Sequence, residues 1–176
     1  MKLDPRTIKT VLGYVLTRIE KIAGFNLRGS QLEAIYNCLP ISPQLATSCQ
    51  PTKDQLSSIQ CAGYTTIINL APANAENALC NEAKVVANLG MDYINIPVDF
   101  SNPSQQDFEK FVSQMKAKTD QKIWVHCAAN MRASCFIFKY RTAILGVNLS
   151  IAEADLKQIW RPNKVWKSFI DKPATG

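Results

Sequence analysis

The chain has 176 residues, 47% of them hydrophobic, which is enough for one domain with a substantial core. Its net charge of +6 comes from scattered Lys and Arg with no aromatic residues interleaved, so a soluble basic surface is expected and no nucleic-acid partner. No run approaches the roughly 18 to 20 apolar residues that span a bilayer, and Lys9, Arg18, Glu20 and Lys21 break the apolar positions near the N-terminus, so neither a membrane span nor a secretory signal is predicted and a cytoplasmic setting is expected.

The first predicted element is a helix over residues 8–23. Ile8, Val11, Leu12, Val15, Leu16, Ile19, Ile22 and Ala23 follow a helical period, and Gly24 ends it. With the connector at 26–30, this divides the chain into an N-terminal segment, 1–30, and a main domain, 31–172. The helix is expected to pack on that domain. A dimer contact and a membrane-surface anchor are the other roles open to a basic amphipathic helix.

From Tyr36 the pattern is a strand-rich turn followed by alternating helices and strands. Thr52 caps a helix over 53–61 that Gly63 closes. The β-branched run at 66–70 is a short buried strand. A helix over 75–88 stops at Gly90, and a strand over 92–96 stops at Pro97. Pro103 and Ser104 open a helix to residue 116 with Phe108, Phe111, Val112 and Met115 on one face. A strand over 122–125 leads into a segment where Phe136, Ile137, Phe138 and Tyr140 have helical spacing, and helices over 151–160 and 164–170 follow. This alternation predicts a three-layer α/β domain, with a mostly parallel central sheet flanked by helices and the site at the carboxyl ends of the strands.

The cysteines at 38, 49, 61, 80, 127 and 135 include no Cys-x-x-Cys pair, and His126 is the single histidine. No metal site is expected, and most of the thiols are expected to be buried. Cys135 shares its segment with Phe136 and Phe138 and is predicted to be core. His126 makes a poor base for Cys127, because neighbouring residues on a strand point to opposite faces, and this argues against a Cys-His protease.

Cys127 itself is different. It stands where the run Ile123, Trp124, Val125 ends and a helix begins, followed by Ala128, Ala129, Asn130, Met131 and Arg132. Unpaired N–H groups at a helix start stabilise both a thiolate and a bound oxyanion. Arg132 can add a planar, two-pronged donor to the same anion.

His126, Cys127, a short loop, Arg132 and Ser134 together resemble the phosphate-binding loop of protein tyrosine and dual-specificity phosphatases. The usual signature has one more residue between Cys and Arg than the four here, so Ala133 occupies the usual arginine position while Ser134 keeps its offset. The glycines common in that loop are missing. Asn130 stands where one is expected, and Asn tolerates positive φ better than most residues. The segments at 41–52, 63–70 and 90–98 are similar to a bacterial, non-classical branch of tyrosine-phosphatase-like proteins with this shorter spacing. The resemblance covers roughly residues 36–170.

That resemblance implies a phosphoric monoester hydrolase working through a phosphocysteine on Cys127, with no cofactor. Arg132 would clamp the phosphate, and Ala128, Ala129, Asn130, Met131, Ala133 and Ser134 would form the cradle. Ser134 would also bond the sulfur, and His126 would orient the loop. The proton donor would be an Asp on the loop after the preceding strand, here Asp99; Asp107 and Glu82 stand in reserve, each expected first as an exposed charge on a helix face. The substrate would be a phosphorylated protein or a small phosphoester. A rhodanese-like sulfurtransferase using a Cys127 persulfide shares the short loop, and a non-catalytic phosphate-binding module is the third reading.

Overall fold

The computed structural model describes residues 4–23, 29 and 31–173. Helix α1 (Pro5–Ala23) and a single 3-10 turn (Leu32–Ala34) precede a hairpin of β1 (Leu39–Ser42) and β2 (Leu45–Ser48). Then α2 (Lys53–Cys61), β3 (Thr66–Asn69), α3 (Glu82–Asn88), β4 (Asp92–Asn95), α4 (Gln105–Ala117) and β5 (Ile123–His126) alternate, and α5 (Met131–Ala143), α6 (Leu149–Ile159) and α7 (Lys164–Asp171) follow. The sheet order is β1-β2-β5-β3-β4. Only β1 runs antiparallel to its neighbour. This is the predicted three-layer α/β architecture with a mostly parallel sheet.

Side-chain alternation along the strands divides the core in two. Ile67 and Trp124 face a cluster with Leu56, Ile59 and Val86, while Ile68 and Val125 face a larger one built on Phe108, Phe111 and Phe136. Helix α5 lies inside the second cluster and is buried on every side from Ala133 to Arg141. The two cations of that stretch need partners there. Lys139 Nζ donates to the Phe169 carbonyl at 2.8 Å and to Gln105 Oε1 at 3.1 Å, and Arg141 meets Asp155 at 2.5 Å. Burial lowers the pKa of Lys139.

Most boundaries follow the local signals. Thr52 forms a full capping box with Gln55, and Ser104 accepts from the Asp107 amide. The helix predicted over 75–88 is the main exception, because α3 begins only at Glu82. Residues 72–80 are irregular: the Asn77 side chain is buried and bonded to other segments, and Asn81 takes a left-handed φ of 55° that breaks any helix there. The connector predicted at 26–30 and the stop at Gly24 lie outside the described residues, except for Gly29.

Helix α1 packs on the domain, but through its polar face. Thr7, Thr10, Gly13, Thr17 and Glu20 are buried, while Ile8, Val11, Leu12, Val15, Leu16, Ile19 and Ile22 are exposed. Threonine hydroxyls explain the orientation, because each finds a partner in the domain: Thr10 Oγ1 donates to the Ile159 carbonyl at 2.5 Å, and Thr7 Oγ1 accepts from the Arg161 amide at 3.2 Å. Gly13 allows the close approach, since a Cβ there would overlap the Tyr36 ring. The thiols also depart from expectation. Cys49, Cys127 and Cys135 are buried, but Cys38 is half-buried and Cys61 and Cys80 are exposed.

Candidate active site

The end of β5 delivers Cys127 into the turn that starts α5. Parallel pairing holds β5 between β2 and β3, with His126 level with Ser48 and Asn69, and the Cys127 amide bonds the Ser48 carbonyl at 3.4 Å. The sulfur therefore leaves the sheet at its carboxyl edge, between two strands that fix its height.

Asn130 makes the turn. It takes φ 66° and ψ 2°, the left-handed conformation that the missing glycine would have supplied, as the sequence predicts. Its buried side chain locks that geometry by donating to the Asn37 carbonyl at 2.7 Å and to Thr47 Oγ1 at 2.9 Å. Two more asparagines hold the loop from outside. Asn37 Nδ2 donates to the Ala129 carbonyl at 3.2 Å, and Asn77 Nδ2 donates to the Ala128 carbonyl at 2.9 Å. With those carbonyls turned outward, the amides of Met131, Arg132 and Ala133 in the first turn of α5 have no acceptor among the described residues. This is the cradle that an oxyanion requires.

Cys127 and Arg132 line one cavity of about 350 Å³, with Ala128, Ala129 and Met131 as its floor. Arg132 is held in place there. Its Nε donates to the Val98 carbonyl at 2.9 Å, and its guanidinium carbon lies 5.2 Å from the Phe100 ring centroid. Both terminal nitrogens lack an acceptor among the described residues, so they are available to an anion. Ser134 is nearly buried, and its hydroxyl donates to the Met131 carbonyl at 3.1 Å rather than to the sulfur. Ala133 is fully buried at the base of the turn.

The carboxylates sort differently from expectation. Asp99 is exposed and accepts from both the amide and the hydroxyl of Ser101, at 2.8 and 2.7 Å. Those bonds, with Arg132 nearby, hold its pKa below the ordinary value. Asp107 pairs with Ser104 at the start of α4, and neither Asp99 nor Asp107 lines the cavity. Glu76 does line it. Its Oε2 accepts from Tyr14 Oη at 2.9 Å and lies 3.0 Å from Arg18 Nε.

Glu82 is neither an exposed helix residue nor a wall of this cavity. It is buried behind the loop, where Gln50 Nε2 donates to its Oε1 at 2.5 Å and Asn69 Nδ2 and Tyr93 Oη donate to its Oε2 at 2.8 and 3.0 Å. His126 Nε2 lies 3.2 Å from the same Oε1. Burial alone would raise the Glu82 pKa, but His126, Gln50 and Tyr93 outweigh it and hold the carboxyl below its ordinary value. His126 thus points away from the cavity that Cys127 lines, as strand alternation requires. Burial raises Cys135 well above the ordinary thiol range, which suits a core thiol.

Sequence reading missed Glu76, Asn37, Asn77 and Tyr14. One signal was present: asparagines at breaks in periodicity mark turns that tolerate positive φ, and Asn37 has φ 50°. Nothing local indicates that Asn77 reaches a loop 51 residues away.

A five-stranded, mostly parallel α/β sheet with a cysteine and an arginine at one helix start defines a protein of the tyrosine and dual-specificity phosphatase class. Residues 41–164 match the family described as DSP-PTPase phosphatase fused to NAD+ kinase, and the chain belongs to that family. A DUF442 protein of Shewanella putrefaciens CN-32, described as a candidate phosphatase, is 32% identical with a TM-score of 0.72, over 79% of this chain and 91% of that one. Two more distant structures share the fold. TpbA of P. aeruginosa, solved with phosphotyrosine, has 13% identity and a TM-score of 0.61, over 78% of this chain and 84% of its own. The catalytic core of the PP-IP phosphatase SIW14 of S. cerevisiae has 15% identity and a TM-score of 0.66, over 79% of this chain and 86% of its own. No curated protein matches the chain.

Proposed function

We propose that this protein is a cysteine-dependent phosphomonoesterase in which Cys127 is the nucleophile and Arg132 the phosphate clamp. The observation that carries the reading is the cavity that these two residues share at the first turn of α5. A phosphoryl group seated there meets backbone amides and the arginine on its equatorial oxygens, with the sulfur and the leaving-group oxygen in line on either side of phosphorus. The sulfur, as thiolate, attacks phosphorus, an S–P bond forms, and the P–O bond to the leaving group breaks. A carboxylic acid supplies the proton that the departing oxygen takes. Water then attacks phosphorus, the S–P bond breaks, the same carboxylate takes the proton from water, and inorganic phosphate leaves.

Asp99 is the proton donor that the family pattern assigns, although in this conformation its bonds to Ser101 and the nearby Arg132 favour the carboxylate over the acid. To act, it must turn out of its bonds with Ser101. Glu76, already on the cavity wall, is the second candidate. Phe100, Tyr14 and Pro72 also line the cavity, which suits an aryl phosphate or a small phosphoester, and TpbA with its bound phosphotyrosine supports the same class. Behind the loop, the 3.2 Å approach of His126 Nε2 to Glu82 supports a positioning role for His126 at the end of β5.

The test is hydrolysis of p-nitrophenyl phosphate. Cys127→Ser should lower turnover by at least about a thousandfold and Arg132→Ala by about a hundredfold or more. A general acid must be protonated, so Asp99→Asn should remove the decline of rate at high pH if Asp99 serves, and Glu76→Gln should remove it if Glu76 does. A wild-type protein inactive on aryl, peptide and small phosphoesters alike would overturn the proposal. Sulfur transfer from thiosulfate to cyanide would replace it with the rhodanese reading.

A further inference from the structure

Helix α1 is amphipathic, yet its polar face meets the protein and its apolar face meets solvent. Seven large apolar residues, Ile8, Val11, Leu12, Val15, Leu16, Ile19 and Ile22, are each 42–83% exposed along one side of the 19-residue helix. At about 1.5 Å per residue the stripe from Ile8 to Ile22 is roughly 21 Å long. Single exposed apolar residues need no explanation, but a contiguous stripe of this kind marks a contact.

The orientation is fixed by bonds. Thr10 Oγ1 accepts from Asn37 Nδ2 at 3.1 Å, and Thr17 Oγ1 accepts from Asn77 Nδ2 at 2.8 Å. Tyr36 bonds the Lys9 carbonyl, Arg6 bonds the Gln158 carbonyl, and Arg18 pairs with Glu76. Rolling the helix to bury its apolar side would break all of these. The stripe therefore stays outward, and it reaches the cavity, because Val11 and Tyr14 form part of the cavity wall.

Charge selects the occupant. The exposed side of α1 is flanked by Lys9 at one edge and by Arg18, which pairs with Glu76, at the other, and it has no carboxylate of its own, since the only acid of the helix, Glu20, is buried. The whole chain adds a net charge of +6. No helix among the described residues is long and apolar enough to cross a membrane. A second copy fits less well: one helical stripe falls far short of the roughly 20–30 residues a side of a stable interface.

We propose that the outward face of α1 lies in the surface of an anionic bilayer, with Leu12, Leu16 and Ile19 among the acyl chains and Lys9 and Arg18 along its edges at the headgroups. Helices of this composition lie in the interface plane with the apolar face about 5–10 Å deep. The inward threonines then hold Asn37 and Asn77, and through them the Ala128 and Ala129 carbonyls, so the cavity opens beside the membrane. Binding does not depend on the phosphatase reading, so either can fail alone.

The test is co-sedimentation of the full chain with vesicles of phosphatidylcholine and phosphatidylglycerol in equal parts, and with phosphatidylcholine alone. Wild type should bind the anionic vesicles more tightly, and high salt should weaken that binding. The triple variant Leu12→Ser, Leu16→Ser, Ile19→Ser changes exposed residues outside the cavity wall and should lose at least about a hundredfold in affinity. Lys9→Glu leaves the apolar stripe intact and should lose about fivefold or more at low salt. Wild type that stays in the supernatant with anionic vesicles overturns the proposal, as does equal binding of wild type and the triple variant. A stable wild-type dimer in sedimentation velocity, dissociated by the triple substitution, overturns it by assigning the face to a second copy.

Discussion

Two helices hold the turn between Cys127 and Arg132, α5 from within and α1 through intermediaries, and they are built on opposite plans. In α5 every residue from Ala133 to Arg141 is buried, and its apolar side chains fill the core. In α1 the threonines and a glycine face the protein, and the large aliphatic residues face out. The difference teaches that periodicity reveals a two-faced helix but not which face meets the domain. Burying aliphatic surface favours one orientation, and hydrogen bonds to otherwise unpaired carbonyls and amides favour the other. In α1 the second term wins, because Asn37, Asn77 and the end of α6 offer partners that only hydroxyls can satisfy.

The contrast gives a graded set of expectations. Phe136→Ala, which removes the ring packed 5.1 Å from Phe169 and 5.5 Å from Phe111, should cost about 3–5 kcal/mol in urea unfolding. Glu82→Gln should cost about 2–3 kcal/mol at neutral pH, because it weakens a buried carboxylate's charge-assisted bonds. It should also change the acid limb of stability. A carboxyl held below its ordinary value of 4.5 stabilises the fold fully above that pH, and the contribution is lost as pH falls through the lowered folded value. Wild type should therefore lose melting temperature on acidification below about pH 4.5 more steeply than Glu82→Gln.

Asn77→Ala tests the link between α1 and the turn. It leaves the Ala128 carbonyl and the Thr17 hydroxyl without this donor, and it should cost about 1–3 kcal/mol and slow phosphoester hydrolysis about tenfold. Full activity with reduced stability would reduce the link to packing alone. Leu16→Ser, at the opposite extreme from Phe136→Ala, should change unfolding free energy by no more than about 0.5 kcal/mol. A loss above 2 kcal/mol would show that Leu16 is covered in solution.

Local chemistry made much of this legible. The alternation of strands and helices, the Thr52 cap, the Ser104 cap and the left-handed Asn130 each depend on neighbours in sequence, and each stands where the residues indicate. That Cys127 and Arg132 meet at one turn was legible for the same reason. Glu76 and Asn77 were not, because their roles come from contacts with α1 and the loop across dozens of residues. Glu82 misled for a related reason: a carboxylate at a helix start ordinarily faces water, and only the packing of β3 and β5 shows that it lies behind His126.

The central claim is that one anion is gripped by the Cys127 sulfur, the first-turn amides of α5 and Arg132. A crystal structure of the vanadate complex tests it most directly. The account predicts vanadium bonded to Cys127 Sγ, with equatorial oxygens on the amides of Met131, Arg132 and Ala133 and on the terminal nitrogens of Arg132. Vanadate bound elsewhere, or bound at Cys127 with the Arg132 guanidinium making no contact to it, would contradict the account.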